Sequence, residues 1–121
     1  MIDRGCLIKG EVKNSVLSPG VIVEEQAMVR NSLIMANTVI GKHSVVDRCV
    51  LDEEVNIGQF CYIGFGSSLI PGDWDITVLG KGVTVPPYTI IGRNCKVLPN
   101  VAAADFITNV ISSGTVFTKR R

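Results

Sequence analysis

Histidine occurs once, at His43, tryptophan once, at Trp74, and aromatic residues make up only 6% of the chain. A single histidine excludes any metal centre built from three of them, and so few large rings leave a core of Val, Ile and Leu. The four cysteines, Cys6, Cys49, Cys61 and Cys95, form no C-x-x-C pair, so they are expected to be structural, reduced thiols that act as small hydrophobes. A charge excess is also missing: 12 Lys and Arg stand against 11 Asp and Glu, which gives no footprint for a nucleic acid. No apolar run approaches the ~18 residues of a membrane span, and Met1-Ile2-Asp3-Arg4 leads into no apolar signal core. The expectation is a soluble cytoplasmic protein with neither a nucleic-acid nor a membrane partner. Helices are disfavoured by 12 Gly, 5 Pro and the lack of a sustained 3.6-residue period.

The chain is rich in repetition. From Cys6 to Gly64 it repeats every 17 residues, so that Val12-Lys13-Asn14-Ser15-Val16-Leu17 lies over Val29-Arg30-Asn31-Ser32-Leu33-Ile34 and Val46-Asp47-Arg48-Cys49-Val50-Leu51. Within each repeat one position recurs at steps of six, five and six: Cys6, Val12, Leu17, Val23, Val29, Ile34, Ile40, Val46, Leu51, Ile57 and Ile63, then Leu79, Val85, Ile91 and Val97. All but Cys6 are Val, Ile or Leu. A second row four residues on holds Val16, Val21, Ala27, Leu33, Thr38, Ser44, Val50, Val55, Cys61, Ser67, Val83, Thr89 and Cys95. Alternate residues of a strand share a face, so both rows are expected to point inward, with three short strands closing each triangular turn.

Bend residues follow the same clock. Gly20, Asn37, Gly66, Gly82, Asn94 and Asn100 sit three residues after an aliphatic, where positive φ is cheapest for Gly and next for Asn. Pro19, Pro87 and Pro99 come just before that position, as turns with Pro leading prefer. This is the hexapeptide signature of a parallel β-helix. A chain of 121 residues makes one such domain, with regular coils over residues 6–63 and 79–100, an inserted loop at 64–78 and a C-terminal cap at 101–121. Ile63 to Leu79 spans 16 residues, which fits either ten inserted in one side or four in a pair of sides. The abrupt start at residues 1–5 reads like a cut rather than a cap. The outward row Lys13, Arg30 and Asp47 reads as a solvated face.

The stretch Gly10-Glu11-Val12-Lys13-Asn14-Ser15-Val16-Leu17-Ser18-Pro19-Gly20-Val21, with Thr38-Val39-Ile40-Gly41, Thr77-Val78-Leu79-Gly80-Lys81-Gly82 and Ile90-Ile91-Gly92-Arg93-Asn94-Cys95, resembles the C-terminal β-helix of bacterial ADP-glucose pyrophosphorylases (glucose-1-phosphate adenylyltransferases). The resemblance covers nearly the whole chain. It implies an all-β, left-handed parallel β-helix, an exception to the usual right-handed crossover. It also implies a regulatory and oligomerisation domain that packs on an N-terminal nucleotidyltransferase domain, in a homo-oligomer that makes ADP-glucose for glycogen synthesis. Mg and ATP would belong to that other domain; no cofactor, metal or catalytic residue is carried over to this chain. Gly64-Phe65-Gly66 and Gly80-Lys81-Gly82 lack the third glycine and the strand-to-helix context of a phosphate loop and read as turns.

Two other readings fit the same residues. One is a hexapeptide acyltransferase that binds coenzyme A and uses a histidine base, for which only His43 is available; its bend position suits a corner residue. The other is a scaffold without a ligand. The 17-residue step also stacks Gln26, His43 and Phe60 at one corner. With Phe65 and Trp74 of the loop, these are the candidate interface residues, because rings at a positive-φ corner ask for packing to offset their cost.

Overall fold

The computed structural model describes residues 1–66 and 76–119. Its strands are two to four residues long and every pairing is parallel, because each strand meets the equivalent strand one turn earlier and one turn later. Three flat faces result. The first is built from Leu7–Ile8, Ile22–Val23, Val39–Ile40, Asn56–Ile57 and Thr84–Val85. The second stacks Glu11–Lys13, Met28–Arg30, Val45–Asp47, Tyr62–Phe65, Ile90–Gly92 and Val110–Ile111. Val16–Leu17, Leu33–Ile34, Cys49–Leu51, Thr77–Leu79, Lys96–Val97 and Val116–Phe117 make the third. The molecule is an all-β parallel β-helix of about six turns, as the repeat predicts.

Each face sends one aliphatic column inward. Val23, Ile40, Ile57 and Val85 pair in register on the first face. Val12, Val29, Val46, Ile63, Ile91 and Ile111 do so on the second, and Leu17, Ile34, Leu51, Leu79 and Val97 on the third. Most of these side chains are completely buried, each worth about 1.5–3 kcal/mol relative to exposure. Parallel strands bury their inward side chains in one continuous core, which is how a fold this poor in aromatics holds together.

Two expectations about the register need correction. Ile8, not Cys6, pairs with Val23, because the first corner has four residues from Ile8 to Val12 where the next has six from Val23 to Val29. Cys6 instead lies beside the strand's start, its Sγ donating to the Ser18 carbonyl at 3.1 Å. The second inward row also changes on the third face. Val16 and Leu33 are exposed and Val50 is half-buried, whereas Ser15, Ser32, Cys49, Thr77 and Cys95 are buried. A five-residue step puts the fourth residue directly before the next inward aliphatic, and strand alternation turns it outward.

The buried hydroxyls complete the ladder where strands bend. Ser15 Oγ accepts from the Ser32 N–H and Ser32 Oγ from the Cys49 N–H, both at 3.1 Å; Ser44 Oγ accepts from the Cys61 N–H at 2.9 Å. Thr77 Oγ1 accepts from the Cys95 N–H at 3.2 Å and donates to the Gly92 carbonyl at 2.6 Å. Corner amides that strands cannot reach are thus satisfied from within. Close stacking also fixes Gly58: a Cβ there would lie 2.7 Å from the Pro87 nitrogen.

The interruption is resolved by pairing. Cys49 pairs with Thr77 and Leu51 with Leu79, a separation of 28 residues where a regular turn takes 17, so eleven residues are inserted. They fall at the corner between the second and third faces, whose regular step is five rather than six; this is why counting from a six-residue side gave ten. After the insertion the coil continues beyond residue 100, since Val110–Ile111 pairs with the 90–92 strand and Val116–Phe117 with the 96–97 strand. The short helix Ala103–Asp105 and the tilted contact of Phe106 with Phe117 at 4.8 Å lie in this last turn.

Candidate functional site

The corner between the first and second faces carries the sequence-predicted column. Gln26, His43 and Phe60 have φ of 63°, 59° and 57°, and Tyr88 continues them at 62°. This conformation aims each amide along the helix axis. The His43 N–H donates to the Glu25 carbonyl at 3.1 Å, Phe60 to Lys42 at 2.8 Å and Tyr88 to Gln59 at 3.0 Å. The rings stack in the same direction. His43 and Phe60 have centroids 4.6 Å apart and planes 6° from parallel; Phe60 and Tyr88 are at 5.3 Å and 2°. Tyr88 was not among the residues singled out from the sequence, although it stands three after Val85, as Phe60 stands three after Ile57.

The other two predicted interface residues separate from this column. Phe65 is exposed and meets Tyr62 edge-on at 5.2 Å, on the second face. Trp74 lies outside the described residues, as does Ser67 of the second row. The structure therefore unites Gln26, His43 and Phe60 at one corner and places Phe65 elsewhere.

Asp47 is not part of a solvated row. It is 6% exposed, held by Arg30 Nε at 3.3 Å, Arg93 Nη2 at 3.6 Å and Asn31 Nδ2 at 3.3 Å. Arg30 Nη2 in turn donates to the Tyr62 hydroxyl at 2.9 Å. The reason is vertical packing: Arg93 comes from two turns above and closes over the carboxylate, its own Nε buried with no hydrogen-bond partner among the described residues. Repeat spacing alone did not reveal this cluster, because Arg93 follows the insertion.

Little else resembles reaction chemistry. Cys49, Cys61 and Cys95 are buried free thiols; burial pushes the Cys49 and Cys61 thiols upward, the opposite of what a thiolate nucleophile needs. Cys49 Sγ donates to the Asp47 carbonyl at 3.2 Å inside the core, while His43 is exposed at a corner, so the two do not form a pair. Among the described residues no three His, Cys, Asp or Glu side chains gather to hold a metal ion, and no helix is long and apolar enough to cross a membrane. A larger concavity, about 570 Å³, runs along the third face, over Ile2, Val16, Leu33, Val50 and Ile76 with Asn14, Asn31 and Arg48 on its wall. Sequence reading missed it by turning Val16, Leu33 and Val50 inward.

Stacked short strands, in-register aliphatic columns and left-handed corner residues define a hexapeptide-repeat β-helix. Residues 1–69 match the family model described as GlmU-like, C-terminal hexapeptide, and the chain belongs to that family. Among curated proteins it is 37% identical over 113 residues to a glucose-1-phosphate adenylyltransferase of Acetivibrio thermocellus, covering 88% of this chain and 26% of that protein. It is 42% identical over 93 residues to one of Thermomicrobium roseum, covering 70% of this chain and 22% of that protein. The chain thus spans about a quarter of the length of the curated relatives it matches. Among solved structures, the acetyltransferase domain of PglB from Neisseria gonorrhoeae FA1090 in complex with acetyl coenzyme A matches with a TM-score of 0.68 at 18% identity, covering 93% of this chain and 54% of that one. At that identity the likeness is one of fold.

Proposed function

We propose that this chain is the β-helical domain of a cytoplasmic enzyme of the glucose-1-phosphate adenylyltransferase type, which converts ATP and glucose 1-phosphate to ADP-glucose and pyrophosphate. In this reading the chain is not itself catalytic. It packs on an N-terminal nucleotidyltransferase domain, supports a homo-oligomer and contributes to regulation, while ATP and Mg are held by the other domain. The observation that carries the reading is the sequence similarity to adenylyltransferases over most of the chain, at about a quarter of their length.

An acyl-transfer reading is supported less well. It would need His43 as general base, and a base works through a hydrogen bond to the group it deprotonates, with its ring oriented by a partner. Here the His43 ring is stacked on Phe60 and makes no hydrogen bond among the described residues; only its backbone amide is engaged. The deciding experiment assays the full-length protein and this chain side by side. Pyrophosphate release from ATP and glucose 1-phosphate is expected from the full-length protein alone. Consumption of acetyl coenzyme A by this chain, lost in His43→Ala, would reverse the assignment.

A further inference from the structure

We draw no further inference here: the strongest candidate, the half-polar groove of about 570 Å³ on the third face over Val16, Leu33 and Val50, ends at Ile76 beside residues 67–75, which lie outside the described ones, and nothing in the structure shows what covers it.

Discussion

Tyr88 stacks on Phe60 with centroids 5.3 Å apart and planes 2° from parallel, so the ladder that His43 begins continues across the inserted loop without a change of corner. Each rung holds a non-glycine residue in the left-handed region, at a cost of roughly 1–2 kcal/mol, and each ring contact returns about 0.5–1.5 kcal/mol. Phe60→Ala keeps the strain and loses both contacts, whereas Phe60→Gly loses the contacts and relieves the strain. Urea unfolding should show the alanine variant less stable than the parent, with the glycine variant about 1 kcal/mol more stable than the alanine one. Equal stability of the two variants would contradict this account of the corner.

Burial of Asp47 between two guanidiniums sets up a second comparison. Asp47→Asn leaves Arg30 and Arg93 facing each other without a counter-charge, and Arg93 has a side chain only 14% exposed. Removing one member of a buried pair costs about 3–5 kcal/mol. Arg30→Met leaves Asp47 with Arg93 and Asn31, and Arg30 is itself 35% exposed, so the cost should be nearer 1 kcal/mol. Thermal unfolding of both variants would check the order; a larger loss in Arg30→Met would show that Arg93 does not hold the carboxylate.

Much of the architecture was legible because stacking makes local spacing and tertiary contact the same thing. Val29 follows Val12 by one turn in sequence and lies directly above it in space, so a period read along the chain is a list of contacts. The same logic located His43 over Gln26 and Phe60 over His43. It failed where the step changed. The four-residue corner after Ile8 moved Cys6 out of the column, and the five-residue corner turned Leu33 outward, hiding the groove. Arg93 and Tyr88 lie beyond the eleven-residue insertion, and no local period reports which corner an insertion occupies. The charge network of Asp47 depends on that phase, so it could not be read before the strands were paired.

The outward turn of Leu33 has a direct test in its neighbour. Ile34 is fully buried and Leu33 is 36% exposed, though the two are adjacent in one strand. Ile34→Ala should cost about 2–5 kcal/mol through lost burial and the cavity left behind. Leu33→Ala in this chain should cost less than about 1 kcal/mol, as exposed substitutions do. Chemical denaturation of the two variants measures the difference, and similar losses would restore the inward reading of position 33.

The buried thiols predict a loss of stability in alkali. Burial raises the Cys49 and Cys61 thiols above their ordinary value of 9.0, so near and above that pH the folded chain keeps protons that the unfolded chain releases. Stability then falls as pH rises, because the slope follows the protons bound by the unfolded state minus those bound by the folded one. Below about pH 8 both states hold neutral thiols, and these two groups should make no contribution to the slope. Reversible unfolding midpoints measured from pH 7 to 10.5 should be level at first and then decline. Lysines and tyrosines titrate in the same range, so the informative quantity is the difference from a Cys49→Ala, Cys61→Ala variant. That variant should start less stable at pH 7 because it loses buried sulfur contacts, and should decline less steeply above pH 9. Parallel curves for the two proteins would mean that the thiols ionise as easily inside the coil as in the unfolded chain.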